Sequence, residues 1–228
     1  MAQTLTFQES TPDPVGSVQL LDLPMPQCGP GQVLVRFLAV PINRLDIVVM
    51  QGKYPVKAQN HTMSQTGEVL KIPGSDGAAR VLAVGGAVTG ISPGDIVIVN
   101  RHCLGTFRTH VAIEQHDVLK MPQNIDVHLA SIMRMVVAPA YFLLKDYHPL
   151  APGDWVIQTA ATGTIAHFVC QFARLFGVKV ISVIRNRPRV EELETVKHSL
   201  KMLGASLVLT EEELDTTTEL EGKRITGS

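Results

Sequence analysis

The segment PGDWVIQTAATGTIAHFVCQFARLFGVKVISVIRNRPR, residues 152–189, decides the fold of the second half of this 228-residue chain. It opens with a short apolar run, Trp155 to Gln158, of the kind that forms a buried parallel strand. A small polar turn follows, then apolar residues at helical spacing, and then Gly177 where a left-handed helix C-cap is expected. Val178 to Ile184 is a second apolar run. Strand, helix and strand within about 30 residues predict a mononucleotide-binding unit.

The residues after the second predicted strand are basic. They include Arg185, Arg187 and Arg189, and the first acidic residue is Glu191. In an NAD site an acidic residue at this place accepts hydrogen bonds from ribose hydroxyls, whereas guanidinium groups pair with the 2′-phosphate of NADPH. The sequence therefore predicts NADPH as cofactor. The alternative is a solvated basic loop that binds nothing.

Composition limits the function classes. The net charge of −1 argues against a general binder of nucleic acid or of acidic membranes. Cys28, Cys103 and Cys170 are scattered and odd in number, which favours a reducing compartment over a disulfide framework. No apolar run reaches the roughly 18 residues of a membrane span. Met1 to Thr11 lacks the features of a secretory signal or a mitochondrial presequence.

The first half of the chain has a different pattern. Short β-branched runs, among them Val33 to Val40, alternate with Gly and Pro turns and predict a compact β domain or partly open barrel. Gly52 to Gly67 is polar and predicts a loop, while Gly105 to Ile113 predicts a strand. From Asp126 the pattern becomes helical, and Pro139 is expected to kink or split that helix. The expected domains are therefore residues 1–125 and 126–228.

A series of short blocks along the chain resembles a known family. They are Ala39 to Asn43 with Asp46, Gln51 to Tyr54, Ile72 to Gly77, Leu104 to Thr109, Pro152 to Gln158 and Val183 to Pro188. Their order and spacing are similar to the medium-chain dehydrogenase/reductase superfamily, and most of all to its zinc-independent 2-enoyl thioester reductases of mitochondrial fatty acid synthesis.

The resemblance implies an α/β fold. Residues 1–125 would be a GroES-like catalytic and substrate domain, and residues 126–228 an incomplete Rossmann domain with a doubly wound parallel sheet. It implies NADPH-dependent reduction of the C2=C3 double bond of a trans-2-enoyl-CoA or enoyl-acyl-carrier-protein, in fatty acid or polyketide-type biosynthesis. A quinone reductase of the same superfamily is one alternative. The other is a truncated, inactive paralogue that binds only nucleotide or a protein partner.

The resemblance also implies site residues. Tyr54 would be catalytic, because a hydroxyl near the enolate left by hydride delivery can polarise it or donate a proton; packing at a loop edge is its structural alternative. Asn43 would lie near the cofactor, with an Asx turn as alternative. The remaining expected cofactor residues are Thr162, Gly163, Thr164, Ala166, Arg185 and Arg187. Thr164 departs from the family, because its branched side chain stands where a glycine is usual.

No metal is expected. Zinc-dependent relatives carry a cysteine and a histidine where this chain has Asn43 to Asp46 and Gly74 to Asp76, which offer neither thiolate nor imidazole. The expected partner is an acyl thioester of coenzyme A or acyl carrier protein, with no nucleic acid and no membrane span, and a homodimer is one expected assembly. The resemblance indicates a mitochondrial protein, with the cytoplasm as alternative. Only three Rossmann strands are predicted, which indicates a fragment, a degenerate paralogue or a sheet whose third strand pairs with a partner chain.

Overall fold

The computed structural model describes residues 1–62, 67–218 and 220, and it separates into two compact units, Met1–Arg134 and Met135–Ser228. Within the described residues, no helix is both long enough and apolar enough to cross a bilayer. The domain boundary after residue 125 stays a prediction.

The first unit is built on a five-stranded antiparallel sheet with the order β8-β3-β6-β7-β9. Two hairpin-like pairs, β1-β2 and β4-β5, are separate from it. The strands are β1 Ala2–Thr6, β2 Gln19–Leu23, β3 Gln32–Ala39, β4 Gln59–Thr62, β5 Val69–Ile72, β6 Ala78–Val84, β7 Ile96–Val99, β8 His110–Glu114 and β9 Val118–Lys120.

Alternation of side chains along the central strands produces the core of this unit. Val33 and Val35 of β3 are fully buried and pack with Val81 of β6 and Val97 of β7, as expected of a sheet with one apolar face. The short helices are α1 Arg44–Met50 and α2 Val127–Ser131. Helix α2 begins directly after Asp126, where the sequence pattern changes to a helical period.

Two predictions for the first unit are wrong. The segment predicted as a loop contains β4, whose polar residues pair with β5, where Leu70 and Ile72 are buried. The strand predicted from Gly105 begins only at His110, because Gly105 has φ +81° and the residues after it turn towards the Pro73 and Gly74 carbonyls. In both cases a tertiary contact decides the local conformation.

The second unit is a three-stranded parallel sheet with helices. Its strands are β10 Trp155–Gln158, β11 Lys179–Ile184 and β12 Leu207–Thr210, and its helices are α3 Ala138–Lys145, α4 Thr164–Phe176, α5 Val190–Leu203 and α6 Glu211–Thr216. Gly177 and Gly204 cap α4 and α5 in the left-handed conformation, as predicted for Gly177. Pro139 stands in the first turn of α3, directly after a π-helical turn over Met133–Val137, so the helical segment from Asp126 is divided at this place, as predicted.

The strand order is β10-β11-β12, so among the described residues the first and the third strand each have a neighbouring strand on one side only. The prediction named only the third strand as unpaired on one side. All but the first residue of β12 are buried, whereas β10 is partly exposed along its length.

Candidate functional site

The turn between β10 and α4 presents a bare helix N-terminus. Gly163 is the N-cap residue of α4, and because glycine has no side chain it cannot cap the first turn. No acidic residue lies in that turn. The first backbone N–H groups of a helix have no partner within it and carry the positive end of its dipole, so this end can receive an anion.

The predicted turn residues occupy different environments. Thr162, Gly163 and Thr164 are exposed at the helix end, while Ala166 is buried and its carbonyl accepts a hydrogen bond from Gln158 Nε2 at 3.2 Å. Gly163 has an ordinary φ of −78°, and the strained residue of the turn is Ala160, with φ +50°. Ala166 therefore has the position of a helix-packing residue.

The arginines after β11 are not equivalent. Arg187 Nε lies 3.6 Å from Glu192 Oε1, and its Nη1 donates to the Arg185 carbonyl at 3.1 Å. Arg189 also contacts Glu192, at 3.5 Å. Arg185 is exposed and has no ion pair with any residue that the structure describes. Because β10 and β11 are parallel and adjacent, Arg185 and the turn lie at the same carboxyl edge of the sheet.

In the first unit, Asn43 is the N-cap of α1. Its backbone N–H donates to Asp46 Oδ2 at 2.8 Å, and the two residues form a capping box. Asn43 Nδ2 is buried and has no hydrogen-bond acceptor among the described residues. The helix cap accounts for the Asn43 backbone and its place in the capping box, whereas its amide N–H₂ stays available, so the role of Asn43 near a cofactor stays a prediction.

Three residues distant in sequence meet beside this helix. Asp46 is almost wholly buried, and the buried Ser75 hydroxyl donates to Cys103 Sγ at 3.7 Å. Burial raises the pKa of the Cys103 thiol, which the hydrogen bond from Ser75 opposes and the charge of Asp46 reinforces. Arg134 donates to the Ser75 carbonyl at 2.6 Å and so ties α2's end to this loop. Sequence reasoning did not find Cys103 here, because no local pattern indicates which distant segments will meet.

Tyr54 lies on the loop after α1, which leaves the helix through Gly52 at φ +73°. Its ring is half-buried against an apolar cluster that contains Phe7, Met50 and Cys103. Within the described residues its hydroxyl has no hydrogen-bond partner. The ring is thus held by packing, and the hydroxyl is available to a ligand.

No group of three or more metal-binding side chains comes together in the part of the chain that the structure describes. Asp46 and Cys103 interact electrostatically, but Ser75 stands between them and supplies only a hydroxyl.

We expect Asp46→Asn to gain stability relative to the parent chain as the pH rises. Burial raises the pKa of Asp46 above 3.8, and hydrogen bonds from Asn43 and Ser75 offset this only in part. Below about pH 4 the carboxyl is protonated in both states and gives no difference; as the pH rises through the raised pKa, only the parent chain must bury a charge. Urea midpoints over a pH series, followed by far-ultraviolet circular dichroism, measure the difference.

Asp95→Asn is the matched control with the opposite sign. Lys120 Nζ, 2.7 Å away, lowers the pKa of Asp95, with Ser92 N–H as a second donor. That stabilisation is present above about pH 4 and is lost as the pH falls through the lowered pKa. If the stabilities of the two variants, each relative to the parent chain, changed with pH in the same direction, the raised pKa of Asp46 would be contradicted.

Comparison with known proteins finds relatives with this architecture. Residues 29–123 match the alcohol dehydrogenase GroES-like domain. The mitochondrial enoyl-[acyl-carrier-protein] reductase of Homo sapiens is 37% identical over 202 residues, which cover 89% of this chain and 51% of that protein. The chain spans about half the length of the curated relatives it matches.

Two solved structures are similar over 96% of this chain and 62% of their own, each with a TM-score of 0.83 and 31% identity. One is the Etr1p/NADP/crotonyl-CoA complex, and the other is the mitochondrial 2-enoyl thioester reductase Etr1p/Etr2p heterodimer of Candida tropicalis. A GroES-like β unit followed by a parallel nucleotide-type unit makes this chain similar to the medium-chain dehydrogenase/reductase superfamily. Within it, the chain is similar to the mitochondrial-type 2-enoyl thioester reductases.

Proposed function

We propose that the chain is an NADPH-dependent enoyl thioester reductase, which reduces the C2=C3 double bond of a trans-2-enoyl thioester. The observation that supports this most directly is the exposed Arg185 beside the uncapped N-terminus of α4. The first is suited to a 2′-phosphate and the second to a pyrophosphate. The relatives' names supply the reaction class, since they are enoyl-[acyl-carrier-protein] reductases and one solved neighbour holds NADP and crotonyl-CoA.

The residues present fit the cofactor in chemistry. The N–H groups of the first turn of α4, with the exposed hydroxyls of Thr162 and Thr164, would hold the pyrophosphate. Arg185 would pair with the 2′-phosphate, and Arg187 would support it. Asn43 Nδ2, a buried donor without a described acceptor, would hydrogen-bond to the cofactor. NADPH, when bound, supplies a hydride.

Tyr54 would act at C2, the carbon that receives the proton. Hydride addition at C3 of an enoyl thioester places negative charge on C2 and the thioester oxygen, and reduction is completed by a proton at C2. The Tyr54 hydroxyl is without a described partner, while its ring is packed, which leaves the hydroxyl available to donate to that charge. The thioester carrier would be coenzyme A or acyl carrier protein.

The names of the relatives support a proposal for the assembly and the compartment of this chain. A homodimer is the assembly that we propose, in line with the dimeric Candida tropicalis enzyme. The mitochondrion is the proposed compartment, because the curated relatives carry that location in their names. The activity test assays the chain with a trans-2-enoyl thioester and with a quinone in parallel. Its other outcomes are reduction of the quinone, and binding of the cofactor without turnover of either substrate.

We expect Arg185→Ala to weaken NADPH binding by about 10- to 100-fold and to leave NADH binding unchanged, since a hydrogen bond to a charged group is worth about 1.5–3 kcal/mol. Arg187→Ala should have the smaller effect, because its guanidinium is shared with Glu192 and with a backbone carbonyl. Titration of the purified chain with each cofactor, followed by bound-cofactor fluorescence, measures both affinities.

Arg189→Ala is the control, since it removes an exposed arginine from the same segment that is outside the expected site. Equal losses for NADPH and NADH in Arg185→Ala would show that the residue supports the fold rather than the phosphate. Failure of the parent chain to bind either cofactor while folded would overturn the proposed function.

A further inference from the structure

Three basic side chains lie side by side on the five-stranded sheet of the first unit. Arg36 of β3 stands opposite Arg80 of β6 on one side and opposite His110 of β8 on the other. Residues directly opposite each other on neighbouring strands share a face and have Cβ atoms about 4.5–5.5 Å apart. Because the adjacent Val35 and Val81 are buried in the core, these three side chains lie on the other face of the sheet, where they form a basic row.

The two arginines of the basic row are exposed, and neither forms an ion pair with any residue that the structure describes. The acids on the adjoining strands are engaged elsewhere. Asp95, just before β7, lies 2.7 Å from Lys120 Nζ. Glu114 is about 13 Å along β8 from His110 and accepts a hydrogen bond from Gln32 Nε2 at 2.8 Å. Since like charges directly opposite each other are destabilising, the basic row costs stability unless an anion binds to it.

His110 adds an uncharged donor to the two guanidinium groups. Burial and the positive charge of Arg36 lower its pKa, so the imidazole is mostly neutral at pH 7. Its Nδ1 lies 3.0 Å from Thr109 Oγ1, whereas the other acceptor for that hydroxyl, the Gln3 carbonyl, is 3.5 Å away. When the Thr109 hydroxyl donates to Nδ1, the ring proton is on Nε2, which can then donate to a ligand.

We propose that Arg36, Arg80 and His110 form a binding site for a phosphate group. Two guanidinium groups carry two positive charges, which a phosphate dianion matches and a single carboxylate only half neutralises. Guanidinium groups also present paired N–H donors to phosphate oxygens, and the imidazole supplies a further donor. Inorganic phosphate and a phosphate of an organic ligand, such as the 3′-phosphate of coenzyme A, offer this same chemistry and are separated by experiment.

Titration of the folded 228-residue chain with inorganic phosphate, followed by NMR, tests the proposal without NADPH or a thioester, so its result is independent of the proposed reductase activity. At constant ionic strength and about pH 8, above the second pKa of a phosphate group at about 6, the C2–H resonance of His110 should shift saturably. His110→Gln assigns that resonance. Arg36→Gln and Arg80→Gln should each weaken binding by at least about tenfold, since each removes a charge-assisted hydrogen bond.

Arg174→Gln is the matched control, because it removes an exposed arginine of α4 that has no ion pair among the described residues. It should leave the affinity for phosphate unchanged. Absence of a saturable shift at His110 in the parent chain would overturn the proposal. Equal losses in all three arginine variants would overturn it too, because they would show that phosphate responds only to the overall charge of the protein.

Competition identifies the source of the phosphate group. Displacement of inorganic phosphate by coenzyme A but not by 3′-dephospho-coenzyme A would assign the site to the 3′-phosphate, displacement by both would assign it to the pyrophosphate, and displacement by neither would leave inorganic phosphate as the ligand.

Urea midpoints give a second measure of binding. Phosphate should raise the midpoint of the parent chain more than that of Arg80→Gln, since binding to the folded state stabilises it. Without phosphate, Arg80→Gln should be at least as stable as the parent chain, because one of two facing like charges is gone. A less stable Arg80→Gln that responds to phosphate as the parent chain does would overturn the site.

Discussion

Replacing Gly74 with alanine is expected to cost the first unit about 2–5 kcal/mol of stability, from left-handed backbone strain of about 1–2 kcal/mol and overpacking of about 1–3 kcal/mol. Gly74 has φ +103°, a conformation that side chains rarely adopt. A Cβ atom there would lie 2.4 Å from Thr106 Oγ1 and 2.9 Å from the backbone nitrogen of Phe107. The Thr106 side chain is fully buried and cannot move aside at low cost.

The close approach of Gly74 to residues 105–107 also positions the candidate site. The Gly74 carbonyl accepts hydrogen bonds from the N–H groups of Gly105 and Thr106, at 2.9 and 3.2 Å. These bonds bring the Ser75 loop against the loop that carries Cys103. Displacement of Gly74 should therefore separate the Ser75 hydroxyl from the thiol as well as destabilise the unit.

Hydrogen exchange in a urea series, read separately for peptides of residues 1–134 and 135–228, measures the effect. The single tryptophan of the chain, Trp155, lies in the second unit, so its fluorescence does not report on the first. Gly86→Ala is the matched control, since a Cβ at Gly86 meets nothing within 4 Å and no positive φ is required. A loss as small as that of Gly86→Ala, or one confined to the second unit, would show that the close approach at Gly74 relaxes without cost.

Periodicity predicted the second unit better than the first. The strand, helix and strand of residues 155–184 follow from apolar runs and a helical repeat, because each element buries a face that its own sequence marks. The first unit depends more on distant pairing. β4 is a polar segment that becomes a strand because β5 lies opposite, and the segment after Gly105 is held out of the sheet by the Gly74 loop.

Only some features of the candidate site could be predicted from the sequence. Exposed basic residues after β11 could be read directly from the sequence, but the engagement of Arg187 and Arg189 by Glu192 could not, since it depends on how α5 leaves the turn. The meeting of Asp46, Ser75 and Cys103 could not be predicted either. Residues 46, 75 and 103 are separated by almost 30 positions each, and only the packed fold brings them together.

Replacement of Tyr54 by phenylalanine should lower kcat for enoyl thioester reduction by about 10²- to 10⁴-fold, the usual contribution of a positioned proton donor. KM and cofactor affinity should change little, because the variant keeps the ring that packs against Phe7 and Met50. Stability should be unchanged for the same reason, since the lost hydroxyl has no partner among the described residues.

Steady-state kinetics of the purified chain with NADPH and a trans-2-enoyl thioester separate the two readings of Tyr54. Tyr141→Phe is the matched control, because it removes a hydroxyl from a tyrosine of α3, whose ring packs against Phe172 and Phe176. Unchanged turnover in Tyr54→Phe would make Tyr54 a packing residue of the loop after α1. A raised KM with kcat preserved would instead make its hydroxyl a substrate-binding group, because the interaction lost would be one made equally in the ground state and the transition state.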